Sequence, residues 1–323
     1  VTPPNPGPAG AAAPYLVKRV AVLLASTAVA AVAVFAFMAL LPGDPAEIAL
    51  GVNATPEAVA ELRRQFGTDR PPAVRFLDWF GGLLQGDFGT SYVTSAPIGP
   101  QIADRLGVTV VLVAGGMAVA LALAVPLGTF AAVHHRNPLG AAISAVSQIG
   151  IAVPAFLAGI LLVFVFAVRA QALPSGGYVP LADGPGEWLR HLLMPWLSLG
   201  LVQGAVLTRY VRSAVLDVMR EDYLRTARAK GRGSTGALWR HGLRNASIPV
   251  VTVLGLQLAT LLIGAVVVER VFVLPGLGDL LLSGVAGRDL LLVQGVVMVL
   301  VAAVLLINFV VDVAYHLLDP RLR

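Results

Sequence analysis

The chain contains no cysteine, which excludes a disulfide framework, a thiol nucleophile and any zinc site built on thiolates. Charge is scarce too. Asp, Glu, Lys and Arg make up 13% of the 323 residues, apolar types 57%, and the mean hydropathy is +0.81. Charges this sparse leave long uncharged stretches, and a bilayer is the solvent that tolerates them, so a soluble globular domain is excluded. The only lysines are Lys18 and Lys230. No Gly-x-x-x-x-Gly-Lys-Ser/Thr loop exists, and the chain is not expected to hydrolyse ATP. His134, His135, His191, His241 and His316 are scattered without ligand spacing, so no metal site is expected. Asp87-Phe88-Gly89 copies a kinase triplet, but the Gly-rich loop, strand lysine and catalytic loop that give it meaning are missing. The sequence pI near 10.0 invites a nucleic-acid reading. The basic residues flank apolar segments, however, and the positive-inside effect accounts for them, so no nucleic-acid partner is expected.

What is present is a series of apolar runs, and the expected class is an all-α integral membrane protein with six transmembrane helices. Residues 1–15, rich in Pro, Ala and Gly, read as a disordered tail. Residues 16–43 form a first membrane helix. Its uncharged run from Val20 to Gly43 is too long for a signal peptide and ends Leu41-Pro-Gly-Asp-Pro45 rather than at a small-residue cleavage site. Residues 44–106 regain charge and read as a small helical insertion. Thr55-Pro56-Glu57 supplies an N-cap, a proline at the first helical position and an early acid, predicting a helix through Phe66. A second short helix is expected near 74–84, after Arg70-Pro71-Pro72. Residues 107–318 form a five-helix core, with spans at 106–133, 137–168, 191–208, 246–268 and 290–311. Residues 319–323 are a short tail. Pro126, Pro154 and Pro195 are expected to kink or break their helices.

Six spans place both termini on one side, and the distribution of basic residues chooses the side. Lys18, Arg19, Arg136, the nine basic residues of the 209–245 loop, Arg321 and Arg323 share one face. Most acids fall on the other, Glu269, Asp279 and Asp289 among them. The positive-inside effect then puts both termini and the 209–245 loop in the cytosol, and the insertion outside.

No acid or base is expected inside a span, which argues against a proton-coupled carrier but leaves sodium coupling through carbonyls and hydroxyls open. Uncharged polar residues remain. Gln148, Gln203, Gln257 and Gln294 are candidates to line a hydrated path, and the competing reading makes them hydrogen-bonding residues between helices. Gly255, Ala259, Gly264 and Ala265 permit close helix approach on the fifth span. No nucleophile–base pair is visible, so no catalytic residue is expected.

The loop 209–245 is the most distinctive segment. It holds Arg209, Arg212, Arg220, Arg225, Arg228, Lys230, Arg232, Arg240 and Arg244 against Asp217, Glu221 and Asp222. No proline or glycine interrupts 217–230, predicting a helix that stops at Gly231, and a second helix is expected over 236–244. From its residues alone the loop reads either as a docking element for a motor on another chain or as a solvated basic loop that enforces topology.

The run Arg212-Ser-Ala-Val-Leu-Asp-Val-Met-Arg-Glu-Asp-Tyr-Leu-Arg-Thr-Ala-Arg-Ala-Lys-Gly231 resembles the cytosolic coupling loop of ABC-importer permeases, in particular the B-type dipeptide and oligopeptide subunits. The resemblance extends from about Tyr15 to Arg323. It includes Gly86-Asp-Phe-Gly-Thr-Ser91, Leu173-Pro-Ser-Gly176, His191-Leu-Leu-Met-Pro195, Arg244-Asn-Ala-Ser-Ile-Pro249 and Pro275-Gly-Leu-Gly278. The family's Glu-Ala-Ala-x-x-x-Gly pattern is only partly kept, because Arg225, Thr226 and Ala227 stand at its first three positions and Arg244 where a proline is expected.

The resemblance implies a type I importer permease fold and an ATPase-coupling site of Asp222, Tyr223, Arg225, Thr226, Ala227, Arg228, Ala229, Lys230 and Gly231. It implies a second homologous permease, ABC ATPase subunits carrying the ATP and Mg, and an extracytoplasmic substrate-binding protein. It also implies location in the inner (plasma) membrane of a prokaryote, among membrane lipid, with peptides as cargo. A nickel complex, haem or an oligosaccharide as cargo remains open, as does, from another class, an ion-coupled secondary transporter.

Overall fold

The computed structural model describes residues 8–229, 236, 238 and 242–318. Twelve α-helices are assigned among them: α1 Pro8–Leu40, α2 Pro45–Leu50, α3 Pro56–Phe66, α4 Pro72–Leu84, α5 Ile98–Val133, α6 Pro138–Ala152, α7 Ala155–Leu162, α8 Pro185–Met219, α9 Asp222–Ala229, α10 Leu243–Val271, α11 Leu277–Ala286 and α12 Leu290–Leu318. Five are long and apolar enough to cross a membrane, and six spans result if the bent pair α6 and α7 counts as one. The chain divides into two compact units. An insertion unit comprises Lys18–Thr109 and Pro275–Leu306, and a core unit comprises Val1–Val17, Val110–Leu274 and Ile307–Arg323.

In the insertion unit, local chemistry starts and stops the helices as the sequence foretells. Thr55 accepts from the Ala58 amide, Pro56 opens α3, and Gly67 closes it at φ +68°, the left-handed geometry that glycine adopts at low cost. Asp44 caps α2 by accepting from the Ala46 amide at 2.8 Å and also pairs with Arg63, which reaches Glu47 as well. The apolar centre is Ile98, Ile102, Leu277, Leu280, Leu292 and Val296, with Phe88 and Leu291 packed on it. Buried and half-buried polar groups lock this centre. The Leu277 amide donates to Thr109 Oγ1 at 2.8 Å, capping α11, and Arg105 pairs with Asp279 at 2.9 Å. Asp289 is 3% exposed. It accepts from the Ser91 hydroxyl, the Tyr92 amide and the Leu292 amide, so one carboxylate caps α12 and fastens the loop after α4.

The core unit is built around α8, which packs against α6, α7 and α10. The α5–α8 crossing depends on glycine. A Cβ on Gly115 would lie 2.1 Å from the Trp196 ring, and one on Gly200 2.4 Å from Val119. Trp196 then reaches across to donate from Nε1 to the Val111 carbonyl at 3.1 Å. Gly200 and Gly204 form the small-xxx-small spacing that lets membrane helices approach closely. The fifth-span glycines also pack: a Cβ on Gly255 would meet Val311, and one on Gly264 Leu199. The Leu173-Pro-Ser-Gly176 segment leads onto the end of α10, where the Gly177 amide donates to the Phe272 carbonyl at 2.8 Å.

Several boundaries differ from expectation. Helix α1 begins at Pro8, inside the stretch expected to be a disordered tail, because Ala11-Ala12-Ala13 favour helix. Helix α5 begins at Ile98, inside the segment 44–106 assigned to the insertion. Pro154 breaks its span: α6 and α7 meet at a 100° bend, with Val153 held extended before the proline. Pro126 and Pro195 lie within helices that continue through them. At Pro195 the neighbours Leu192, Met194, Ser198 and Leu199 are all buried, while at Pro126 the flanking Val125 and Leu127 are exposed. Glu269, grouped above with the outer acids, is fully buried in the last turn of α10.

Candidate functional site

The expected continuous helix over 217–230 is two helices. Helix α8 ends at Met219, a tight turn follows in which the Arg220 amide donates to Asp217 and the Glu221 amide to Val218, and α9 runs from Asp222 to Ala229. Burial explains the break. The turn lets Leu224 sink to 3% exposure beside Gly242, next to Val218 and the fully buried Leu238. Gly242 is small of necessity: a Cβ there would lie 2.7 Å from Leu238, 3.2 Å from Val218 and 3.4 Å from Leu224.

Helix α9 is thereby attached to α8 through the Leu224–Val218 neighbourhood. It is attached to α10 as well, because Asn245 Nδ2 donates to the Tyr223 hydroxyl at 3.0 Å. Tyr223 keeps 38% of its surface exposed. The Thr226 hydroxyl donates back to the Asp222 carbonyl at 3.0 Å, and both residues are exposed. Arg225, Ala227, Arg228 and Ala229 lie on the helical backbone. Lys230 and Gly231 lie outside the described residues, as does most of the second helix expected over 236–244. An eight-residue helix is marginal on its own, so attachments such as these two are what hold α9 in place.

The four glutamines are not brought to one place. Gln203 on α8 and Gln257 on α10 are 4% and 6% exposed, and Gln203 Nε2 donates to Gln257 Oε1, so their amides serve each other. Gln148 on α6 is exposed and lines a small niche with Ser144, Ser147, Thr208, Arg209 and Arg212. Gln294 belongs to the insertion unit, is 7% exposed, and its Nε2 finds no acceptor.

Sequence reasoning missed three features. The Ser91–Asp289 contact joins residues 198 apart; its only local sign is an acid directly before a span, where an N-cap belongs. The burial of Glu269 has no signal in a single sequence. The third is a pocket between α3, α4 and the start of α12, where Tyr92 sits against Phe66 with ring centroids 4.4 Å apart. Burial pushes the Tyr92 phenol above its ordinary 10.0, with Arg75 pulling it down and Asp289 adding to the rise. Among the described residues no group of His, Cys, Asp and Glu is arranged to hold a metal ion.

Comparison with known proteins covers both units. A family model described as "Binding-protein-dependent transport system inner membrane component" matches residues 124–323, and one described as "Binding-prot-dependent transport system membrane comp, N-term" matches 13–113. The chain is 42% identical over 312 residues to a glutathione transport system permease protein of Salmonella typhimurium, covering 96% of this chain and 98% of that one. It is 39% identical over 308 residues to a putative peptide transport system permease protein of Brucella abortus, covering 95% and 98%. To a probable peptide ABC transporter permease protein of Sinorhizobium fredii it is 35% identical over 309 residues, covering 96% and 99%.

Proposed function

Because the chain belongs to the family of binding-protein-dependent transport system inner membrane components, we propose that it forms half of a peptide-translocating path and is driven by a separate ATPase through α9. Membership makes it a non-catalytic permease subunit of an ABC importer in an inner membrane, working with a substrate-binding protein and ATPase subunits. Peptide cargo comes from the relatives, which are named for peptides and for glutathione.

The observation that carries the coupling reading is the double attachment of α9. A rigid element bound to α8 through Leu224 and to α10 through Tyr223 and Asn245 moves both spans when a partner moves it. A partner gripping the exposed side of α9 would then bias an inward–outward equilibrium by as much as its contacts differ between the two states. In this reading Asp222 to Gly231 form the docking surface, and ATP and Mg belong to the partner ATPases. The termini and the 209–245 loop are cytosolic, and the insertion faces the binding protein. A second, homologous permease completes the path. The apolar surface that α6 leaves exposed, with Val146 and Ile149 each 68% accessible, is available to it. Gln148 and the Gln203–Gln257 pair are the polar groups of this half-path.

The test is reconstitution with the partner chains in proteoliposomes, scoring ATP hydrolysis and dipeptide uptake together. Gly231→Ile should leave membrane insertion intact and lower uptake per ATP. Normal uptake at normal expression would count against α9 as the coupling element. Cysteines placed at positions 148 and 257 should react with a soluble thiol reagent in at least one state of the cycle; silence in every state removes them from the path.

A further inference from the structure

The insertion unit holds a pocket of about 210 Å³ whose wall carries a guanidinium with no carboxylate partner among the described residues. Arg75, half-buried on α4, lines it. Its neighbours on α3 and in the turn before α4 find carboxylates: Arg63 takes Asp44 and Glu47, Arg64 takes Glu61, and Arg70 takes Asp78. Arg75 takes none among the described residues, although it stands one turn from Asp78. The same walls contain Trp79 and Gln294, whose Nε1 and Nε2 are buried without an acceptor. Tyr92, a further wall residue, brings a phenol hydroxyl that can donate. The Trp79 and Gln294 nitrogens are closed to solvent and do not open onto the cavity, so the Arg75 guanidinium, with no carboxylate of its own among the described residues, is the charged donor the cavity offers to acceptor oxygens.

The remaining wall is aromatic. Phe66 and Tyr92 pack with their rings tilted by 30°, and Phe35 lies 6.0 Å from Trp79 between ring centroids. An apolar cleft with a few converging polar groups is the usual form of a small-ligand site, and 210 Å³ is below the roughly 300–1,000 Å³ of drug-sized ones. It suits one or two residues of a peptide. One acid of the wall, Asp87, uses one oxygen to accept from the Gly89 amide at 2.8 Å and has its other oxygen free. The pocket thus offers a cation, a carboxylate oxygen and rings.

We propose that this pocket binds the carboxylate end of a short peptide, with the carboxylate on Arg75 and the terminal side chain against the rings of Phe66, Trp79 and Tyr92. An arginine fork matches a carboxylate bidentately, which distinguishes it from a point charge. The site would give the permease its own contact with cargo, separate from that of the binding protein. This rests on the peptide reading above.

The experiment uses the importer assembled with its partner chains in phosphatidylcholine nanodiscs, with the binding protein left out. Saturation-transfer NMR measures binding of alanyl-phenylalanine and of its C-terminal amide. The free peptide should bind at least tenfold better than the amide, Arg75→Gln should abolish that preference, and Arg75→Lys should restore part of it. Equal binding of both forms to the unaltered protein, or a preference that survives Arg75→Gln, overturns the site. So does displacement of the peptide by phosphatidylglycerol added to the disc, which would assign the pocket to a lipid headgroup. If Arg75→Gln weakens only docking of the binding protein, the carboxylate belongs to that protein and the proposal fails. ATP-driven uptake of the same peptide, with binding protein restored, is scored in parallel. Arg75-dependent binding without uptake sinks the peptide reading and keeps the carboxylate site; uptake with Arg75-independent binding does the reverse.

Discussion

Leu224→Ala is the perturbation that most directly tests α9 as a lever. Leu224 is 3% exposed and sits in the niche that Gly242, Val218 and Leu238 make. Truncating a buried leucine costs about 2–5 kcal/mol, made up of lost transfer energy and the cavity left behind. Helix α9 is only eight residues long and has little intrinsic stability to absorb that loss, so the cost falls on its attachment to α8. A shift of about 3 kcal/mol changes the attached-to-detached ratio on the order of a hundredfold. The second attachment, the Asn245–Tyr223 hydrogen bond, contributes only about 1 kcal/mol. The expected result in proteoliposomes is ATP hydrolysis that continues while peptide uptake per ATP falls at least tenfold. Leu224→Met, which conserves volume, should stay near the unaltered ratio. Tyr223→Phe should lower it only a fewfold. If Leu224→Ala transports with unaltered stoichiometry and yield, force does not pass through this contact and the lever argument fails.

Asp289→Ala orphans three donors, on Ser91, Tyr92 and Leu292, and should destabilise the insertion unit by about 3–5 kcal/mol. Limited proteolysis between Gln85 and Pro97 would report it, and Asp289→Asn, which keeps an acceptor for the two amides, should be cut more slowly. Gly115→Leu places atoms inside the Trp196 ring, since even a Cβ would approach to 2.1 Å; the variant should yield no monodisperse protein by size-exclusion chromatography, and a normal elution profile would refute the packing. Burial raises Tyr92 above 10.0, so below pH 10 the phenol is neutral in both folded and unfolded chains and contributes no pH dependence. Above pH 10 the unfolded chain ionises first, and stability falls until the folded phenol ionises too. Thermal unfolding of Tyr92→Phe should therefore lack an alkaline loss that the unaltered protein shows, and identical profiles would contradict the shift.

Much of the architecture was readable before any coordinates because its causes are local. Thr55-Pro56-Glu57 starts α3 through a cap, a proline and an early acid, all within three residues, and Gly67 ends it for an equally local reason. The long spans announce themselves by the absence of charge. Proline shows where local reasoning stops. Pro154 breaks its span, whereas Pro126 and Pro195 lie in helices that continue through them, and sequence periodicity does not separate the three. The break at Arg220–Glu221 is of the same kind, since no helix breaker stands there and the turn exists to bury Leu224. Polarity within apolar runs singles out the glutamines, a criterion that cannot separate Gln203, bonded to Gln257, from Gln294, whose Nε2 has no acceptor among the described residues. Arg75 was passed over because one arginine among several in a charged insertion looks ordinary. Only the partners of its neighbours make it stand out.

The bond between Ser91 and Asp289 also sets a timetable. Its two halves are 198 residues apart, and at about 5–20 residues per second a ribosome needs roughly ten to forty seconds to supply the second after the first. Through that interval α3, α4 and the start of α5 are already synthesised, while Phe88, Ile98 and Ile102 have no Leu280, Leu292 or Val296 to cover them. The insertion is thus made early and is among the last parts of the chain to be finished. A nascent chain stalled before Asp289 should present these side chains to whatever factors guard the membrane surface, and release of the last helix should be the moment they are withdrawn.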